Sequence, residues 1–493
     1  FEWLTAPQFL FFHTDRLVFL LNIISFLLLP GRIFAVLTRL GVRPRAAWPW
    51  MWLLPSGYGY VLEAGGAVND MAGGVFALAA FEFVLRAARG KNPAHVWTGA
   101  LAAALMTAVK AFNLILLLPW GIAALPALPL LARRPLATAA VAVLAVSASL
   151  IPTAALNIKY CGDWTGLKAE QATIGGGGKL FRLAANAVCL PASNLCPPVF
   201  PFAKQWNDWV DHTLPPELVT RMMSYMEPGL AKCRLTEMQV EESTGLGCGV
   251  TLLLIALLAK KIRAGEFQPG NWLEHDVLIL ASCWLVLLLF MTQVGSAGPA
   301  RYLLPFYVLL AVPVLRGRTA VNFFRVRFWR GAALLVFAAA ALLVILTPSR
   351  PLWPALTVLE KSHAGHPWLT RAWDVYDAYD SRADGFRPVL SALPALPTPA
   401  DPLGFMAFDE PETALWHPFG GRRILHVCYD DSPASVRERG IKYALVSEEF
   451  LAQHHAMQPA DWQARMNATT VLAFDLKMLA GQPAHRWWLL RFD

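Results

Sequence analysis

Charge is what this chain has least of. Only 15% of its 493 residues are Asp, Glu, Lys or Arg, against 56% hydrophobic, and the mean hydropathy is +0.44. Soluble domains carry roughly a quarter charged residues, so solubility along the whole length is excluded. The Cys and His spacings of a zinc site are missing, and so are internal repeats. The glycine run in "TIGGGGKLF" (173–181) has no Ser or Thr after its Lys and no strand before it, so it reads as a flexible turn and not as a phosphate-cradling P-loop. Neither a metal nor an organic cofactor is expected.

What is present is apolar runs, at 17–37, 48–62, 71–85, 97–108, 112–131, 136–156, 250–258, 277–294, 302–315 and 332–346. They predict an α-helical polytopic membrane domain of about ten transmembrane helices over residues 1–347, with a polar loop at 159–249. Several runs are shorter than the roughly 20 residues that cross a bilayer upright. They must draw on flanking residues, thin the membrane or lie inside the bundle.

Basic residues gather in alternate connections: Arg39, Arg43 and Arg45; Arg86, Arg89 and Lys91; Arg133 and Arg134; Lys260, Lys261 and Arg263; and Arg316 to Arg330. The positive-inside bias turns these toward the cytoplasm and puts residues 63–70, Lys110, the loop 159–249, residues 293–301 and everything after 347 outside. The net charge of +8 then matches an anionic inner leaflet, and no nucleic-acid partner is needed. The first span must run inward, and the opening "FEWLTAPQFLFFHTDRL" has neither an initiator Met nor the pattern of a signal peptide. Residues 1–15 therefore read as the tail of an outer loop belonging to a longer protein.

Five of the seven cysteines, Cys161, Cys189, Cys196, Cys233 and Cys248, fall in the outer loop, where disulfides are permitted. Cys189 and Cys196 in "CLPASNLC" could close a small ring, or the thiols could pack unpaired. Asp208, Asp211 and His212 in the same loop read as solvated residues.

Ionisable groups at membrane depth are costly and tend to face a cavity or a partner. Asp70, Lys110 and Arg301 each stand at the outer end of a helix in this topology. For any one alone the alternative is an interfacial side chain reaching for water. Their mixed signs on one side, beside short helices and a long loop, favour a shared polar site.

Their surroundings carry a resemblance. "NDMAGGVFALAAFEFVLRA" followed by "GALAAALMTAVKAFNLILLLPW" resembles the paired helices of GT-C superfamily membrane glycosyltransferases, and "GPARYLLPFYVLLAVPVL" is similar to their "RY-LP" helix. The group includes the aminoarabinose transferases and protein O-mannosyltransferases, and the likeness covers most of 1–347. It implies an inverting transfer of a sugar from a polyprenyl-phosphate donor to a lipid, glycan or protein acceptor at the outer face of a bacterial inner membrane. Lys110 and Arg301 would then hold the donor phosphate, and Asp70 would be the second acidic position of the family, near acceptor or sugar. The family's principal catalytic Asp lies in a first outer loop that would precede residue 1, since Asp15 in "HTDRL" reads as a helix cap.

Beyond "TPSRPLW", a Pro-rich stretch (348–400) reads as a linker, and 401–493 alternates strand-length apolar runs with helical stretches, predicting a soluble α/β domain on the outer side. That domain has no nucleophile elbow and no dinucleotide fingerprint. Asp409, Glu410 and His417 follow its first strand, where capping is the simpler role. Its expected contribution is to cover the membrane cavity or select the acceptor. A polytopic transporter or lipid flippase, without glycosyl transfer, is the alternative for the whole chain, and a membrane scaffold would need no polar cavity.

Overall fold

The computed structural model describes residues 2–12, 17–166, 178–266, 274–395, 401–407, 410, 412–416, 421–455, 457–478 and 483–492. Asp15, Asp409, His417 and most of the glycine run (173–177) lie outside the described residues. The chain divides into two compact units: 1–7, 15–155 and 173–347 form one, and 8–14, 156–172 and 348–493 the other.

The first unit is helical. Among the described residues, five helices are long and apolar enough to cross a membrane: Phe19–Arg39, Asp70–Gly90, Ala111–Arg133, His275–Gln293 and Arg327–Leu346. The pair Pro135–Ser147 and Leu150–Tyr160, bent by 43°, makes a sixth if it counts as one span. Four of the five leave two thirds or more of their apolar window uncovered by protein, as lipid-facing helices do, whereas Asp70–Gly90 is 78% buried and forms the centre. Small side chains let its neighbour Pro93–Val109 approach closely: a Cβ on Gly99 would sit 2.8 Å from Val84 and 3.3 Å from the Ala80 carbonyl.

Ten spans are expected from the apolar runs, and several of those runs are short helices. Residues 97–108 and 302–315 fall in Pro93–Val109 and Arg301–Leu315, and 250–258 in Gly247–Arg263. The run 48–62 is not one helix. Pro44–Leu53 stops before Pro55, which has no N–H to continue the ladder, and Tyr58–Glu63 restarts on new partners. The Tyr58 and Gly59 N–H groups donate to the carbonyls of Leu246 (3.2 Å) and Gly245 (2.7 Å), and the Tyr60 hydroxyl donates to the Leu304 carbonyl at 2.5 Å. This short helix is wedged between two segments, and Glu63 is its last residue.

The helical region within 178–249 folds onto His275–Gln293 through buried polar side chains. Arg182 donates to the carbonyls of Tyr225 (2.9 Å) and Gln293 (3.4 Å), and Asn186 donates to those of Met291 and Val294. The ring between Cys189 and Cys196 does not form, and both are buried free thiols. Cys189 lies in Lys179–Leu195 with Cys196 at its C-cap, and seven residues of helix span roughly 10 Å, too far for a disulfide. Cys189 Sγ instead donates to the Leu230 carbonyl at 3.7 Å, in a cluster that includes Cys233.

In the second unit the expected linker is largely structured. Helices Ala355–Ser362, Pro367–Asp380 and Arg387–Ala392 occupy it, with Pro at the first turn of the last two, where a missing N–H costs nothing. Phe386, Val389 and Leu393 join the core of the following domain. That domain is a five-stranded mixed sheet, ordered β2-β1-β3-β5-β4, from β1 (Leu403–Met406), β2 (Ile424–His426), β3 (Tyr443–Ser447), β4 (Ala468–Leu476) and β5 (His485–Phe492). β1 pairs in parallel with β2 and β3, and β5 runs antiparallel to β3 and β4. Period-two alternation splits the apolar residues: Phe405, Leu445, Trp487 and Leu489 pack on one face, and Met406, Val446, Leu490 and Phe492 on the other. Burial on both faces is the α/β architecture the alternation implies.

Candidate functional site

Asp70, Lys110 and Arg301 meet. Lys110 Nζ lies 2.6 Å from Asp70 Oδ1, and Arg301 Nε lies 3.4 Å from Asp70 Oδ2. The first is a charge-assisted hydrogen bond. The second is an ion pair without hydrogen-bond alignment, since neither Asp70 Oδ2 nor Arg301 Nε has a hydrogen-bond partner. The carboxylate is 2% exposed and the two cations 19% and 18%. The pairing is therefore desolvated on the acid and partly open on the bases.

Each side chain is aimed by local backbone structure. Asp70 opens the helix Asp70–Gly90, where a negative charge complements the helix dipole. The turn before it is tied down by Asn22, which donates to the Gly66 carbonyl at 2.9 Å, and by Asn69, which donates to the Val109 carbonyl at 3.1 Å. Lys110 sits at the break between Pro93–Val109 and the 3-10 turn Ala111–Leu116, in extended backbone (φ −159°, ψ 132°). Asn113 buttresses that break by donating to the Met106 carbonyl at 3.1 Å. Arg301 begins the turn Arg301–Leu303, shortly after Gly298. Gly298 has φ +68°, and a Cβ there would fall 2.0 Å from the Glu242 carbonyl oxygen, so only glycine lets the "GPARY" segment approach Glu242 and Ser243 this closely.

Two further residues complete the site, and the sequence alone did not single them out. Tyr302 lies under both cations: its ring centre is 3.9 Å from Lys110 Nζ and 5.0 Å from Arg301 Cζ, and its hydroxyl accepts from Arg301 Nη2 at 3.3 Å. Phe112 stacks on that ring at 5.7 Å. Such a face holds a cation in place by its quadrupole. Glu63 is fully buried, and its Oε2 accepts the Met71 N–H at 2.8 Å. Burial, and then the neighbouring Asp70 carboxylate, push the Glu63 carboxyl well above the usual carboxylate range, outweighing Arg301 and Lys110. The signal for Tyr302 was its place in the "RY" pair. Glu63 was hidden because an apolar run led straight into it.

The remaining acids behave differently. Glu82, 4% exposed within Asp70–Gly90, is neutralised twice, by Arg32 Nη1 at 2.5 Å and Arg86 Nη2 at 2.7 Å. Asp211 pairs with Lys232 (3.1 Å) and Arg234 (3.3 Å), and His212 Nδ1 lies 2.6 Å from the Asp208 carbonyl of its own helix. No group of three or more His, Cys, Asp or Glu could hold a metal ion among the described residues.

Chemically, the site joins two cations on an aromatic floor with the ion-paired carboxyl of Asp70 and the buried carboxyl of Glu63. With Glu63 neutral it carries net positive charge and is suited to an anion. Comparison with protein families, characterised proteins and solved structures gave no match to this chain.

Proposed function

We propose that this chain is an integral-membrane glycosyltransferase of the GT-C kind, moving a sugar from a polyprenyl-phosphate donor to an acceptor at the outer face of a bacterial inner membrane. The observation that carries the reading is the convergence of Asp70, Lys110 and Arg301, from three separate parts of the chain, on one partly open site. In this reading the shorter helices complete a bundle of about ten spans, and the C-terminal α/β domain stands on the outer side.

The chemistry follows from the charges. As the acceptor oxygen bonds to the anomeric carbon, the bond from that carbon to the phosphate oxygen breaks and its electron pair leaves on the lipid phosphate. Lys110 and Arg301 stabilise that growing charge, Arg301 through its planar fork and Lys110 as a point charge. Asp70, released as both cations turn to the phosphate, orients the acceptor hydroxyl and receives its proton. The test is an assay of the full-length protein in membranes with a radiolabelled polyprenyl-phosphate sugar. Label appearing in an acceptor, with loss of label from the donor lipid, supports transfer. Donor that crosses the bilayer with its sugar still attached would make the protein a flippase instead.

A further inference from the structure

Glu63 has two oxygens in unlike situations. Oε2 accepts the Met71 N–H, whereas Oε1, equally buried, has no hydrogen-bond partner. The charged and titratable groups that act electrostatically on Glu63 are Asp70, Lys110, Arg301 and the Tyr60 phenol of its own helix. The Tyr60 hydroxyl is committed to the Leu304 carbonyl, and Lys110 and Arg301 lie against the oxygens of Asp70. An ionised carboxylate buried this completely needs several donors, and a single backbone N–H does not supply them. The neutral acid is the state this environment supports. Its proton belongs on Oε1, because Oε2 is already an acceptor, and a buried O–H without a partner calls for an acceptor from outside the chain.

We propose that Glu63 carries a proton on Oε1 and donates it as a hydrogen bond to an anionic phosphate oxygen of the ligand held by Lys110 and Arg301. The proposal rests on the phosphate-site reading given above and deepens it. Glu63 is a binding residue that also sets the charge of the site: neutral, it leaves the site net positive, and ionised, it would cancel that charge and set two carboxylates against an anion. The upward displacement of its carboxyl by burial and by Asp70 runs in the same direction. Glu82 is the internal contrast, a buried acid with a cation on each oxygen and neither oxygen left without a partner.

The experiment uses the full-length protein in lipid nanodiscs, with infrared difference spectra and with binding of polyprenyl phosphate and of inorganic phosphate measured over a pH series. A carboxylic-acid carbonyl band should be present at neutral pH in the wild type and absent in Glu63→Gln. Polyprenyl phosphate affinity should fall in the wild type as pH rises through the titration of Glu63. Glu63→Gln, whose amide still donates, should bind within about twofold of wild type with a flat pH profile, while Glu63→Leu should bind about tenfold or more weakly, the scale of a lost hydrogen bond to a charged group. Binding of inorganic phosphate with the same dependence on Glu63 would assign a free phosphate in place of the lipid headgroup and uphold the donor role. Absence of the acid band, or equal binding in wild type and Glu63→Leu, would overturn the proposal while leaving the phosphate site intact. An acid band with no binding of either phosphate would overturn both.

Discussion

Lys110 reaches Asp70 at 2.6 Å across 40 residues of chain, a shorter contact than the 3.4 Å between Arg301 and the same carboxylate. Removing one partner of a buried pair costs up to about 3–5 kcal/mol, and Arg301, 3.4 Å from Asp70, offsets part of that. Lys110→Met should therefore lower the melting temperature of the detergent-solubilised protein markedly. Adding Asp70→Asn should restore part of the loss, although Arg301 is then left without its carboxylate. A double variant no more stable than Lys110→Met would mean that the two charges are not coupled.

Gly298 makes a second, purely steric prediction. Its φ is +68°, and the Glu242 carbonyl oxygen lies only 2.0 Å from where a Cβ would stand, so there is no room for Ala. Gly298→Ala should cost about 1–3 kcal/mol in stability and displace Arg301, lowering affinity for polyprenyl phosphate. A variant with native melting and native affinity would show that the turn tolerates a side chain.

The raised carboxyl of Glu63 predicts a slope of stability with pH. The folded state holds its proton to higher pH than the unfolded state, where a Glu titrates near about 4.3. Its contribution is thus complete below the unfolded value and is lost as pH rises toward and through the folded one. Between about pH 5 and pH 9 the wild type should lose melting temperature faster than Glu63→Gln, which has no proton to give up. Parallel curves for the two proteins would contradict a neutral Glu63.

Sidedness is tested by single cysteines in a background lacking the native ones. Arg89 and Arg325 are exposed residues in the basic connections, and Lys204 is exposed in the outer loop region. In intact cells a membrane-impermeant thiol reagent should label a cysteine at Lys204 and spare those at Arg89 and Arg325. Equal labelling at all three would remove the topology.

Much of this arrangement was legible in the chain. Asp70, Lys110 and Arg301 stood out because a charge beside an apolar run has few physical excuses, and the alternation of basic loops put all of them on one side. The C-terminal α/β domain was legible in strand-length apolar runs such as Tyr443–Ser447 and His485–Phe492, which alternate with helical stretches. Long-range effects were not. The stop after Leu53 is local, set by Pro55, but the restart at Tyr58 depends on carbonyls at 245 and 246, which lie far along the chain. Glu63 looked like the polar end of a span because nothing local shows that its neighbour is Asp70 and its burial complete. The Cys189–Cys196 spacing suited a loop, and the helix that separates the two thiols arises from packing on His275–Gln293.

The central claim is that Lys110 and Arg301 hold a lipid phosphate while Asp70 serves the acceptor, and one set of measurements bears on it most directly. Donor affinity and transfer rate are compared in the full-length protein for wild type, Arg301→Ala, Arg301→Lys and Asp70→Asn, with protein level and monodispersity as controls. Arg301→Ala should weaken donor binding by about 2–5 kcal/mol, and Arg301→Lys should recover only part of it, because a point charge lacks the two-bond planar contact. Asp70→Asn should lose far more transfer than donor affinity. Wild-type donor binding in Arg301→Ala together with normal turnover in Asp70→Asn would contradict the account.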